Sequence, residues 1–247
     1  MHIDINCDMG EGMPNDAELM TLISSANIAC GFHAGDENTM RRTIELALQH
    51  NVSIGAHPGF PDRANFGRTE MDFPDEDIVA IVSEQVYQLL DLVFAMGGKL
   101  KHVKPHGALY NMSARNYSLA AAIANAVYEI DDQLVLFGLS GSASIQAAKD
   151  IGLKTANEVF ADRTYQDDGS LTPRKQANAL IVNPTDAEQQ VLQMIMKNEV
   201  TSIHHKTVPL SCDTICIHGD GDHAVPFARQ INRLLQKHQI ELRSFQP

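Results

Sequence analysis

Four histidines in this chain each close an apolar run. His33 follows Ala26-Asn-Ile-Ala-Cys-Gly-Phe, His57 follows Val52-Ser-Ile-Gly-Ala, His106 follows Leu100-Lys-His-Val-Lys-Pro, and His218 follows Thr214-Ile-Cys-Ile. Asn6 and Asp8 end a fifth run, Glu158 ends a sixth, and Lys104 stands two residues before His106. Imidazoles and carboxylates that converge serve one of two chemistries: a divalent metal held by His and carboxylate ligands, or metal-free proton transfer. The metal reading draws on Asp8, His33, His57 and His106. Spacing does not choose between them, because the chain has neither His-Glu-x-x-His nor Cys-x-x-Cys. His50, His204, His205 and His238 fall in helical or loop contexts where a solvated imidazole needs no function.

Lys104 is the sharper signal. Strand alternation puts Leu100, His102, Lys104 and His106 on one face, and Pro105 keeps Lys104 extended. A lysine aimed into a site must pair with a carboxylate or lose its proton on burial. Asp8 and Glu158 are its natural partners, either in a structural ion pair or around an ammonium that holds a substrate carboxylate or polarises a carbonyl. Arg163, just past the sixth run, offers a bidentate clamp for an anion or a pair with Asp162. Cys7, Cys30 and Cys216 lie inside apolar runs and read as buried core thiols. Gly219-Asp-Gly-Asp-His-Ala224 formally fits G-x-G-x-x-A, but no second βαβ unit follows and Asp220 and Asp222 would repel a pyrophosphate. No Walker-type G-x-x-x-x-G-K-[ST] is present.

The elements that must carry these residues alternate from end to end. Strands are predicted at Ile3–Cys7, Asn27–Gly31, Val52–Ala56, Leu100–Lys104, Leu134–Gly138, Leu153–Val159 and Thr214–His218. Between them run helical stripes: Ile78, Val82, Val86, Leu89 and Val93; Leu119, Ile123, Val127 and Ile130; Phe227, Ile231, Leu234 and Leu235. Strands alternating with helices imply parallel pairing through right-handed crossovers. Six of the seven strands end in polar residues, which spreads the site around a rim and favours a closed barrel over an open sheet with one switch point. Residues 1–247 are expected to form a single β/α-barrel domain with a polar, turn-rich excursion at about 162–211: a loop to Ile181, a helix over Pro184–Asn198 and an irregular return over Val200–Ser211. An excursion that long suits a lid or an interface.

A length of 247 residues matches the about 250 of such a barrel. With 44% hydrophobic and 20% charged residues the composition is that of a globular protein, and the net charge of −12 argues against nucleic acid and anionic membrane as partners. The start carries Asp4 and Asp8, unlike a signal peptide, and no uninterrupted apolar run reaches a membrane span; a cytoplasmic protein with reduced thiols is expected.

Several blocks carry a resemblance: Ile3-Asp-Ile-Asn-Cys-Asp-Met-Gly-Glu-Gly12, the segment Ala26–Asp36, Gly55-Ala-His-Pro-Gly-Phe-Pro-Asp62, Val103-Lys-Pro-His-Gly-Ala-Leu-Tyr-Asn111, Asn157–Tyr165 and Ile215-Cys-Ile-His-Gly-Asp220. Together they resemble the LamB/YcsF lactam-utilisation family, to which 5-oxoprolinase A subunits belong, from the first strand to the last helix. The chain departs from the family pattern at Met13-Pro14, where the loop is short, and at Lys175-Gln-Ala-Asn178, where a Pro-Gly turn is expected. The resemblance implies a seven-stranded parallel β/α barrel of the glycoside hydrolase/deacetylase type. It implies ATP-dependent hydrolysis of 5-oxo-L-proline to L-glutamate in a complex with two further subunits, of B and C types, which would supply or share the ATP step. On that reading Lys104 or Arg163 binds the substrate carboxylate or the oxyanion, and Asp8 and Glu158 compete as general base. His57 and His106 donate to the ring nitrogen or orient the base, and Asn6, His33 and His218 complete the pocket. The alternatives are a stand-alone metal-dependent deacetylase or amidase, and a non-catalytic lactam-binding subunit.

Overall fold

The computed structural model describes residues 1–217 and 224–246. Its first strand, β1 (His2–Met9), is followed by a short helix α1 (Asp16–Leu19), β2 (Ser25–Ala29), α2 (Glu37–His50), β3 (Ser53–His57), α3 (Asp75–Ala95) and β4 (Leu100–Val103). Then come α4 (Gly107–Ser113), α5 (Tyr117–Ile130), β5 (Val135–Leu139), α6 (Ala143–Asp150) and β6 (Lys154–Phe160). The chain continues through α7 (Pro184–Lys197), the short strands β7 (Glu199–Thr201) and β8 (Thr207–Pro209), β9 (Thr214–Ile217), α8 (Ala224–Lys237) and β10 (Glu241–Leu242). The seven expected strands are all present, each within two residues of its expected start. The last of them ends at the edge of the described residues; His218 and residues 219–223 of the glycine motif lie outside them.

The strands pair in the order β1-β2-β3-β4-β5-β6-β9, every pair parallel, and β9 returns to β1, which closes a seven-stranded barrel. β10 adds a short parallel pairing to His2 and Ile3 at the start of β1. Strands packed on both faces should carry unbroken apolar runs rather than alternation, and β2 and β5 are buried at every residue. The helices cover the outside with the expected stripes: Ile78, Val82, Val86, Leu89 and Val93 of α3 are buried, as are Leu119, Ile123 and Val127 of α5. α3 is long and apolar enough by composition to cross a membrane, but it buries that stripe against the barrel and turns Glu84 and Asp91 outward. One apolar cluster runs through barrel and helices.

The excursion departs from expectation in one place. The segment Val200–Ser211 holds a small antiparallel hairpin, β7 to β8, rather than an irregular return. Val200 and Val208 pair across it and are both buried, so two apolar residues in a polar stretch suffice to fix its inner face. Before α7, isolated bridges Arg163–Leu180 and Tyr165–Leu171 fold the loop back on itself.

Candidate active site

In a parallel barrel every strand presents its C-terminal end to the same rim. That rim opens into a cavity of about 1470 Å³ whose wall includes Asp8, Glu11, His57, Lys104 and His106, with Arg163 and the 166–176 stretch of the excursion on one side. Asp8 comes from β1, His57 is the last residue of β3, and Lys104 and His106 follow β4 directly. Glu158 lies on β6 and Cys216 on β9.

Lys104 is the hub of one half of the site. Its Nζ lies 2.9 Å from Asp8 Oδ1, 2.9 Å from Glu158 Oε1, 3.2 Å from Asn6 Oδ1 and 3.1 Å from Cys216 Sγ. The side chain is 2% exposed and Glu158 is fully buried, whereas Asp8 keeps 13% of its side chain open. Burial works against the ammonium, but Asp8 and Glu158 outweigh it and hold Lys104 well above the ordinary lysine range. Lys104 is therefore a fixed cation that donates hydrogen bonds and cannot serve as a base. Beneath it a polar chain runs through the barrel. His102 Nε2 donates to Asn27 Oδ1 (2.8 Å), and Asn27 Nδ2 donates to Asp8 Oδ1 (2.9 Å) and Asn6 Oδ1 (2.7 Å). Burial, then the Lys104 charge, pushes His102 down to about 3, so it stays neutral. Its ring stacks on Phe137 and passes so close to Gly55 that a Cβ there would sit 2.1 Å from Nε2.

Histidines make the other half. His33 stacks flat on His106 with centroids 3.8 Å apart, and His57 stands edge-on to both. His57 Nδ1 bonds the Lys104 carbonyl (2.7 Å) and His106 Nε2 bonds the Phe66 carbonyl (2.9 Å). Phe66 adopts a left-handed backbone conformation, φ 58°, which is strained for a bulky residue and aims its carbonyl at that ring. Burial, then His57, brings His33 down to about 3 and drives His106 lower in the same way. Glu11 joins this group from the loop after β1: its Oε1 is 3.3 Å from His33 Nε2, 3.3 Å from His106 Nδ1 and 3.8 Å from His57 Nε2. Ligand atoms of Glu11, His33, His57 and His106 all lie within 4.8 Å of one another, a donor set suited to a divalent transition ion. Asp8 borders both halves, with Oδ2 3.3 Å from His57 Nε2.

The structure thus brings Asp8, His33, His57, Lys104, His106 and Glu158 together, but it separates their roles. Glu158 stands behind Lys104, away from the cavity wall, while Asp8 is on it. Asn6 is likewise below the surface, donating to Thr214 Oγ1 (2.8 Å) and accepting from Asn27 and Lys104. Arg163 donates to the backbone carbonyls of Thr172 (2.6 Å) and Ala179 (3.3 Å), so it pins the excursion against the barrel while lining the cavity. Burial, then Arg174, lowers its guanidinium to about 10. Asp36, also at a strand end, caps α2 by accepting from Thr39 N. His218 lies outside the described residues. Sequence reasoning passed over Glu11, Asn27 and the Lys104–Cys216 contact. The signal for Glu11 was Gly10 and Gly12 on either side of it: both have positive φ (71° and 87°), the mark of a turn that swings the residue between them back toward the rim.

A family model described as the LamB/YcsF family matches residues 3–247. A protein of Shouchella clausii that is named as the 5-oxoprolinase A subunit is 52% identical over 247 residues, covering 98% of each chain. One of the same name from Bacillus cereus is 50% identical, covering 97% of each. Among solved structures, a lactam utilization protein from Thermus thermophilus superposes with a TM-score of 0.94 at 38% identity, over 99% of this chain and 100% of that one. A family 4 carbohydrate esterase from Streptomyces lividans, 10% identical, shares the fold with a TM-score of 0.51, over 98% of this chain and 91% of that one.

Proposed function

Because the chain belongs to the LamB/YcsF family, we propose that it works as the A subunit of a 5-oxoprolinase and that a cyclic amide is opened at its barrel mouth. The observation that carries this reading is the Lys104 ammonium held between Asp8 and Glu158 at the edge of the cavity. Opening a lactam requires a donor where negative charge gathers on the carbonyl oxygen, a base for the attacking water, and a proton for the departing nitrogen. Lys104 is the donor, its charge fixed by the two carboxylates. Asp8, on the cavity wall, is the base. Glu158, fully buried, holds Lys104 in place and does not reach the substrate. His57 and His106 are placed to pass a proton to the ring nitrogen.

A five-membered lactam is a stabilised amide, so its hydrolysis benefits from coupling to ATP. Phosphorylation of the amide oxygen turns it into an activated imidate. Water then adds to the former carbonyl carbon, the ring C–N bond breaks and the nitrogen takes up protons, while the phosphate departs to a second water. The chain has no Walker motif, so the ATP step is assigned to the partner subunits, of B and C types, or shared with them. Glutamate and ADP release from 5-oxo-L-proline plus ATP, by this chain alone and then with the two partners, tests the reading. Turnover only in the mixture supports it; no turnover by an assembled, folded mixture overturns it. The cluster of Glu11 with three histidines favours, as a second reading, a metal-dependent amide hydrolase acting alone, for which turnover would be independent of ATP.

A further inference from the structure

Two of the three imidazoles beside Glu11, those of His57 and His106, hold a pair of lone pairs that face each other. His57 Nδ1 and His106 Nε2 face backbone carbonyls, which only accept, so those nitrogens carry the ring hydrogens. In the neutral rings His57 Nε2 and His106 Nδ1 are then bare, and they face each other at 2.9 Å. Two lone pairs at that distance require positive charge beside them. Glu11 Oε1 completes a triangle with them, its edges 2.9, 3.3 and 3.8 Å. These bracket the about 3.4 Å between ligand atoms in a tetrahedron of about 2.1 Å bonds, the zinc–nitrogen and zinc–oxygen distance. Imidazoles whose second nitrogen donates to a backbone carbonyl are in the orientation that metal-bound histidines adopt.

His33 differs. Its Nδ1 is buried with no hydrogen-bond partner, and its Nε2 faces Glu11 Oε1 at 3.3 Å. Without a carbonyl anchor it is better placed to donate to the carboxylate than to bind an ion. The ligand atoms are preorganised, for the side chains of Glu11, His57 and His106 are all 7% exposed or less.

We propose that Glu11, His57 and His106 form a two-histidine, one-carboxylate site for a divalent transition ion, with His33 as a positioning residue that donates to the Glu11 carboxylate. Such a triad leaves coordination positions open on the side of the cavity. Of the ligands expected from the sequence, Asp8, His33, His57 and His106, the set keeps His57 and His106, takes Glu11 in place of Asp8, moves His33 behind Glu11, and leaves Asp8 to Lys104 and Asn27. The inference does not depend on which substrate the barrel opens.

The test is metal content. The full chain is stripped with chelator and reconstituted separately with zinc, manganese and cobalt. Bound ion is then measured by mass spectrometry after gel filtration, and the cobalt form by its visible absorption. One ion per chain is expected, with the ligand-field bands of a low-coordinate cobalt site. Glu11→Gln lowers affinity by more than about 100-fold, beyond the loss that outer-shell partners cause, and His33→Gln lowers it by roughly 10- to 100-fold without altering the cobalt spectrum. Lys104→Met keeps the full stoichiometry. Should Glu11→Gln fail to fold, the rise in thermal midpoint of the unsubstituted chain on adding ion replaces it. No stoichiometric uptake of any of the three ions, together with nitrogen NMR showing His57 protonated on both nitrogens, overturns the site in favour of a shared proton. A cobalt spectrum changed by His33→Gln overturns the positioning role and makes His33 a ligand.

Discussion

Replacing Lys104 by methionine keeps most of the aliphatic stem and deletes one charge. At an effective dielectric of about 20, each 2.9 Å contact with Asp8 or Glu158 is worth about 6 kcal/mol of gross attraction. Most of that is offset by desolvation of the charges, and removing one partner of a buried pair costs about 3–5 kcal/mol net, because the carboxylates left behind lose their buried counter-ion. Glu158 bears most of this, being fully buried where Asp8 is partly open. The chain has no tryptophan, so urea unfolding is followed by far-ultraviolet circular dichroism. The expected loss is about 3–5 kcal/mol at pH 7.5. It shrinks toward pH 5, since an orphaned buried carboxylate has its pKa raised above the unfolded value and is relieved by protonation. Adding Glu158→Gln to Lys104→Met recovers part of the loss. In the assembled enzyme, turnover falls by about 10²–10³-fold, the effect of losing one oxyanion donor. Lys104→Met within about 1 kcal/mol of the unsubstituted protein, where surface pairs fall, with no recovery on adding Glu158→Gln, would refute the reasoning.

Asp8→Asn should lower kcat by about 10²–10⁴-fold with KM little changed, the loss of a general base. Glu158→Gln should act more on stability than on kcat, and steady-state kinetics giving the reverse order would exchange the two roles. His33 and His102, held at about 3, and His106, also held down, bind protons in the unfolded chain that the folded chain refuses, so their stabilisation is present above about pH 6.5 and lost as pH falls toward 3. Asp4, raised to about 6 chiefly by burial, and Asp16, also raised chiefly by burial, work oppositely at the acid end, and the three histidines leave a net loss of stability as pH falls from about 6.5 toward 5. A urea midpoint that stays flat from pH 6.5 to 4 contradicts this. Gly55→Ala places a methyl on the His102 ring and must break its bond to Asn27 or its stack on Phe137. A cost of about 1–3 kcal/mol is expected, read as a fall in the thermal midpoint.

The barrel was legible because its strands are doubly buried: each appears as a short apolar run closed by a polar residue, and that ending gives both the boundary and the rim. Lys104 and its two carboxylates were legible for the same reason, since opposite charges at three strand ends have nowhere else to go. Residues whose partners are backbone atoms were not. Arg163 carries no sequence mark that its donors go to the carbonyls of Thr172 and Ala179, and an arginine near Asp162 suggests an anion or an ion pair instead. The β7–β8 hairpin rests on two valines, too few for a periodicity. Glu11 escaped because it lies in a loop, where side-chain direction is set by the backbone turns at Gly10 and Gly12 rather than by alternation.

Asp8 is where the two halves of the site meet, and its geometry shows why both can share one rim. Oδ1 is committed to Lys104 and Asn27, while Oδ2 faces His57 Nε2. A carboxylate oxygen held by a fixed cation and an amide cannot swing away, so the oxygen left facing the histidines keeps its direction toward the cavity. On the proposed reading Lys104 therefore acts twice, once as a donor at the wall and once by aiming Asp8. Glu158 holds Lys104 from behind, outside the cavity wall. On the same reading the three carboxylates differ in role: Glu158 anchors the cation, Asp8 faces the substrate, and Glu11, 3.3 Å from His106, belongs to the histidines.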